Sequence, residues 1–84
     1  MTTDLQEYIA TSDLHQKALA LLPGEFTQYA DLRDPIEVVT GYDYPFDILT
    51  DLVEAGLAER EIHPLYSIGG APRGALNSFR RVQP

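Results

Sequence analysis

The chain has 84 residues, 44% of them hydrophobic and 23% charged, with no cysteine and a formal net charge of −7. That length holds one domain with a single small core, the composition is that of a globular chain, and the lack of cysteine removes disulfides, thiolate metal sites and a cysteine nucleophile together. No segment approaches the roughly 18 to 20 apolar residues that span a bilayer, and the opening MTTDLQEYIA lacks the basic flank and apolar run of a signal peptide, so a soluble, cytoplasmic protein is expected.

With no internal repeat, low-complexity run or linker, the punctuation residues define the parts. TDLQ has capping-box spacing, Thr3 accepting from the backbone and Gln6 reaching back, and Leu5, Tyr8 and Ile9 follow as a short apolar edge. Leu14, Ala18, Leu21 and Leu22 continue at helical spacing until Pro23-Gly24, so residues 4 to 22 form one helix or two. FTQYADL is a short strand plus a turn, or a helix of its own. DPIEVVTG places Asp34 as N-cap, Pro35 at the first helical position and Glu37 at N3, with Gly41 as the stop. The β-branched Ile36, Val38, Val39 and Thr40 weaken that helix on its own, so packing must hold it. After YDYP, Pro45 opens the next helix, which runs to Gly56; about four residues between the two helices is helix-turn-helix spacing. The remainder reads as a hairpin, Leu57 to Ile62 pairing with Ala75 to Val82 around GGAPRG. Pro64 marks the first of these strands as an edge or ends it there.

This order of elements resembles the winged helix-turn-helix family. The resemblance covers roughly residues 13 to 82 and is carried by DPIEVVTGYDYPFDILTDLVEAGL and by the wing AEREI with LNSFRRV. It implies an α+β fold: three or four helices and a C-terminal β-hairpin wing, with 1–12 as an N-terminal extension or helix, 13–56 as the helical part and 57–82 as the wing. In DNA-binding relatives the third helix of the motif enters the major groove with its outward face. Winged helices also serve as protein-interaction modules, so the fold alone does not choose between the two.

The charge pattern bears on that choice. Residues 1 to 61 hold all 13 acidic residues against Lys17, Arg33 and Arg60, a balance of −10, whereas residues 62 to 84 hold three arginines and no acid. On the helix from Pro45, Ile48, Leu49, Leu52 and Val53 fall on one side at 100° per residue. Asp47, Asp51 and Glu54 fall on the other, with no Lys, Arg, Asn or Gln among them. Like charges at i, i+4 cost an isolated helix a few tenths of a kcal/mol, and the macrodipole offsets part of this at Asp47. Such a stripe is a solvated face that keeps the protein in solution, a face that docks on a basic protein surface, or a face that approaches DNA all the same. Asp43 lies in the turn beside it, as do Tyr42 and Tyr44. Tyr42, Tyr44 and Phe46 are placed to plug the core beneath the turn, the alternative being an amphipathic contact patch, which suits tyrosine.

Arg60, Arg73, Arg80 and Arg81 are the candidates for a DNA contact, Arg73 at the hairpin tip and Arg80 and Arg81 on opposite faces of the last strand. So few cations give weak, salt-sensitive binding to duplex DNA. GGAPRG lacks the lysine and the strand-to-helix setting of a phosphate loop. His15 and His63 stand in different elements with no ligand spacing, and Ser12, Ser67 and Ser78 lack a nucleophile-elbow context. No catalytic residue, metal or cofactor is therefore expected. The reading is a non-enzymatic acidic module, monomeric or homodimeric, acting as an adaptor or inhibitor that docks on a basic protein surface, by analogy with small phage-encoded antagonists of nucleic-acid-binding proteins. The alternative is a winged-helix transcriptional regulator that touches DNA through its wing arginines.

Overall fold

A computed structural model describes residues 4–82. Two helices open the chain, α1 over Asp4–Thr11 and α2 over Asp13–Leu21. The break falls at Ser12, whose backbone is extended at φ −87° and ψ 110°. Adjacent hydroxyls there compete with the helical hydrogen bonds: Thr11 Oγ1 donates to the Tyr8 carbonyl at 3.0 Å, while Ser12 Oγ accepts from the His15 N–H at 3.4 Å and caps α2. Gln16 then ties the second helix to the first by donating to the Ile9 carbonyl at 3.0 Å. Of the proposed first capping box, Thr3 lies outside the described residues, and Gln6 Nε2 donates across the fold to the Ala55 carbonyl at 2.8 Å. In α2 the buried positions are His15, Ala18 and Leu19; Leu21, expected inside, is exposed.

Helix α3, over Tyr29–Thr40, corrects the sequence reading, which started it at Pro35 with Asp34 as cap. The cap is Gln28, and Pro35 lies inside the helix. A proline there leaves the carbonyl four residues back without its N–H partner, at a cost of ~3 kcal/mol. Burial outweighs it: Tyr29, Leu32 and Ile36 follow one another at i, i+3, i+7, with Leu32 and Ile36 in the core and Tyr29 against it. Pro35 and Asp31 are both exposed, on the side where water can reach the orphaned carbonyl. The helix ends as expected at Gly41, left-handed at φ +69° with its N–H on the Glu37 carbonyl at 2.8 Å.

Helix α4 covers Pro45–Glu54, four residues after α3, and buries Pro45, Ile48, Leu49 and Leu52. Its exit needs a glycine. Gly56, at φ +79°, donates to the Val53 carbonyl at 3.0 Å, and Leu57 donates to the Leu52 carbonyl at 2.9 Å, the paired bonds of a Schellman stop.

Strands β1 (Thr27–Gln28), β2 (Ala58–Tyr66) and β3 (Pro72–Arg81) form an antiparallel sheet in the order β1-β3-β2. Within FTQYADL the expected short strand is β1, but no turn follows it, and the helix there is the first part of α3 rather than one of its own. The hairpin pairs Ala58 with Arg81 and continues through Ile62–Asn77 to Tyr66–Pro72, longer at the tip than expected, with an irregularity between Leu65 and Tyr66. Pro64 stays within β2, the outer strand, where its missing N–H costs no central ladder bond.

Phe79 joins sheet to helices: it is fully buried, pairs with Thr27 of β1 and Arg60 of β2, and sets its ring at 5.8 Å from Phe46 and 6.4 Å from Tyr29, edge to face in each case. Ile9, Ala18, Leu22, Leu32, Ile36, Ile48, Leu49, Leu52 and Ala58 close the core around it. Residues 62–76 of the hairpin are outside that core. The architecture is α+β, four helices and a three-stranded antiparallel sheet, compatible with a small winged-helix-like fold in which α3 and α4 make the helix-turn-helix and β2–β3 the wing.

Candidate functional site

The outward side of α4 and the turn before it hold the residues singled out from the sequence. Asp43, Asp47 and Glu54 are exposed. The aromatic trio divides: Phe46 packs inward, its ring 5.2 Å from Tyr29, whereas Tyr42 and Tyr44 are 38% and 65% exposed and stack edge to face on each other at 6.0 Å. Placing all three under the turn was wrong for the two tyrosines. Alternation at 42, 44 and 46 would hold in an extended chain, but the backbone turns helical at Pro45, so Phe46 follows the helical period and leaves its neighbours outside.

Asp51 differs from the other carboxylates of the stripe. Its Oδ2 lies 2.8 Å from His15 Nε2, and its side chain is 39% exposed against 5% for that of the histidine. The other ring nitrogen, Nδ1, is 2.6 Å from Ser12 Oγ. An ionised carboxylate only accepts; Nε2 therefore carries a hydrogen toward Asp51, and in neutral imidazole Nδ1 accepts from the Ser12 hydroxyl. The Ser12 oxygen, in turn, caps α2. Serine, histidine and aspartate thus form one relay that fastens the start of α2 to the middle of α4, with Tyr8 of α1 edge-on to the imidazole at 5.5 Å.

This relay was missed from the sequence. The Ser12–His15 half had a signal, since a serine three residues before a histidine sits at capping distance. The Asp51 half had none, because 36 residues separate it from His15.

A cavity of ≈ 190 Å³ opens where α1, the start of α2, the turn and α4 meet. Asp47 and Asp51 line it together with Tyr8, Tyr42, Leu14 and Ile48, and His15 and Ser12 complete its wall. The described residues contain no group of three histidines or carboxylates able to hold a metal ion.

The four arginines are not brought together. Arg80 is engaged: its Nη2 lies 3.0 Å from Glu59 Oε1, its cross-strand neighbour, and its guanidinium covers the Phe26 ring at 4.5 Å. Arg60 and Arg81 are exposed near the base of the hairpin. Arg73, expected in the tip loop, stands in β3, six positions from the Phe79 that pairs with Arg60, hence about 20 Å away along the strand. No helix among the described residues is long and apolar enough to cross a membrane. Comparison with protein-family models, with curated proteins and with solved structures finds no match to this chain, so its own geometry is what bears on function.

Proposed function

We propose that this chain is a winged-helix protein-interaction module, without enzymatic activity, that docks on a basic surface of another protein through α4 and the turn before it. One observation carries the reading: the helix in the groove-reading place of the fold carries Asp47 and Glu54 outward and Asp51 partly exposed between them, beside exposed Asp43, Tyr42 and Tyr44, and has no basic residue along Pro45–Glu54. Carboxylates there repel phosphates, while exposed tyrosines supply large, stiff contact area of the kind that anchors protein interfaces. A partner whose basic surface binds nucleic acid would make the chain an inhibitor by occupation. The alternative, a regulator touching DNA through its wing, is left with exposed Arg60, Arg73 and Arg81, since Arg80 is engaged by Glu59 and Phe26.

The test compares retention of a partner from nuclease-treated lysate by the protein, by a Tyr44→Ala/Asp47→Asn/Glu54→Gln variant and by Arg73→Glu. Loss with the first variant only is expected. Equal retention by all three removes the reading, and salt-sensitive binding of random duplex DNA between about 50 and 200 mM salt supports the alternative.

A further inference from the structure

The cavity between α1, α2 and α4 has a lining that specifies its occupant more narrowly than charge does. Acidity by itself would single out no place on a chain with all 13 of its acids in residues 1 to 61. Here, however, two carboxylates stand over an apolar and aromatic lining. Asp47 and Asp51 are one helical turn apart, roughly 5 to 6 Å between their Cβ atoms, and Asp51 is held in place by buried His15. Half-buried Leu14 offers apolar surface beside buried Ile48, and Tyr8 and Tyr42 offer rings. The ≈ 190 Å³ volume falls below the ~300 to 1,000 Å³ of sites for drug-sized ligands and suits one long side chain.

From this lining we infer that the cavity is an anchor site for a single arginine side chain presented by the protein partner. The proposal rests on the reading above and narrows it. Arginine matches each part of the lining: its methylene stem packs on Leu14, its planar guanidinium stacks on tyrosine, and its forked N–H groups reach two carboxylates one turn apart. Lysine has a comparable methylene stem, but its head is a strongly hydrated point charge that neither stacks flat on a ring nor presents a fork to two carboxylates.

The test uses the full chain and acetyl-arginine-amide as the probe, followed by two-dimensional amide NMR. A single residue binds weakly, with a Kd on the order of millimolar. The expected result is saturable shifts confined to the amides around Tyr8, Leu14, His15, Tyr42, Asp47 and Ile48. Acetyl-lysine-amide should shift them less, and acetyl-citrulline-amide, of the same shape without charge, should not shift them. Asp47→Asn, at an exposed position that leaves the His15–Asp51 pair intact, should weaken binding about two- to fivefold, the loss of one partly exposed ion pair. Equal shifts with citrulline, shifts scattered over the acidic surface, or binding indifferent to Asp47→Asn overturn the proposal. If the probe fails but partner retention still depends on Tyr44, Asp47 and Glu54, the anchor site falls and the docking reading stands. The reverse pattern removes the docking reading and with it the partner as the source of the arginine, while the cavity's selectivity for an arginine side chain stands.

Discussion

Removing the Asp51 carboxylate distinguishes the structure from a helix considered alone. For an isolated helix, Asp51 is a liability: it repels Asp47 at i, i+4 by about 0.2 to 0.5 kcal/mol and lies in the C-terminal half of α4, where the macrodipole disfavours an anion. On that reasoning Asp51→Ala stabilises by a few tenths of a kcal/mol. In the fold, the same carboxylate accepts a charge-assisted hydrogen bond at 2.8 Å from a histidine that is 4% exposed. Such bonds contribute about 1.5 to 3 kcal/mol, and a buried Nε2–H left without an acceptor costs its desolvation. After subtracting the relieved repulsion, Asp51→Ala should destabilise by roughly 1 to 2.5 kcal/mol, close to 4 to 8 °C in Tm per kcal/mol for a chain of this size. Asp51→Asn keeps a neutral acceptor and should cost about half as much. Urea unfolding followed by far-ultraviolet circular dichroism and tyrosine fluorescence measures both, since the chain has no tryptophan. A double-mutant cycle with His15→Ala isolates the pair, with a coupling of about 1 kcal/mol or more expected. A stabilised Asp51→Ala, or a coupling below about 0.3 kcal/mol, would refute the reasoning.

Pro35→Ala restores a backbone N–H within α3 and should raise stability by about 1 to 2 kcal/mol, the regained helical bond less the added freedom of the unfolded chain; a loss on urea unfolding would instead favour a helix beginning at Pro35. Phe79→Ala empties the junction of sheet and helices and should cost about 3 to 5 kcal/mol, most of the stability of so small a domain; a well-folded variant with an unchanged urea midpoint would show that the ring is not in the core. Gly56→Ala forces a side chain into the left-handed region at φ +79° and should cost about 1 to 2 kcal/mol, without any clash, since a Cβ there meets open space; thermal unfolding reads it directly. Arg80→Ala should destabilise by about 1 kcal/mol through the loss of Glu59 and the Phe26 ring, whereas Arg73→Ala should stay within about 0.5 kcal/mol; equal effects would contradict the placement of Arg80.

Much of the fold was legible in sequence because the signals were local. Gly41 and Gly56 each sit where a helix must stop with positive φ, Pro45 sits where a helix can begin without an N–H, and the apolar stripe of α4 repeats at the helical period. Those features are decided by backbone sterics within a few residues, which the sequence states outright. The start of α3 was misread for the complementary reason. Asp34-Pro35 is a good local cap, but burying Leu32 against the rest of the chain outweighs it, and that gain appears only once the chain has folded. The candidate site divides the same way. Sequence determined the acidic stripe on α4, since residues three and four apart share a helix face. Only tertiary structure decided that Asp51 belongs to His15, that Tyr42 and Tyr44 face outward while Phe46 does not, that Arg80 is held by Glu59, and that Tyr8 joins the acids around a cavity. Each of those joins residues distant in sequence, through contacts that no periodicity records.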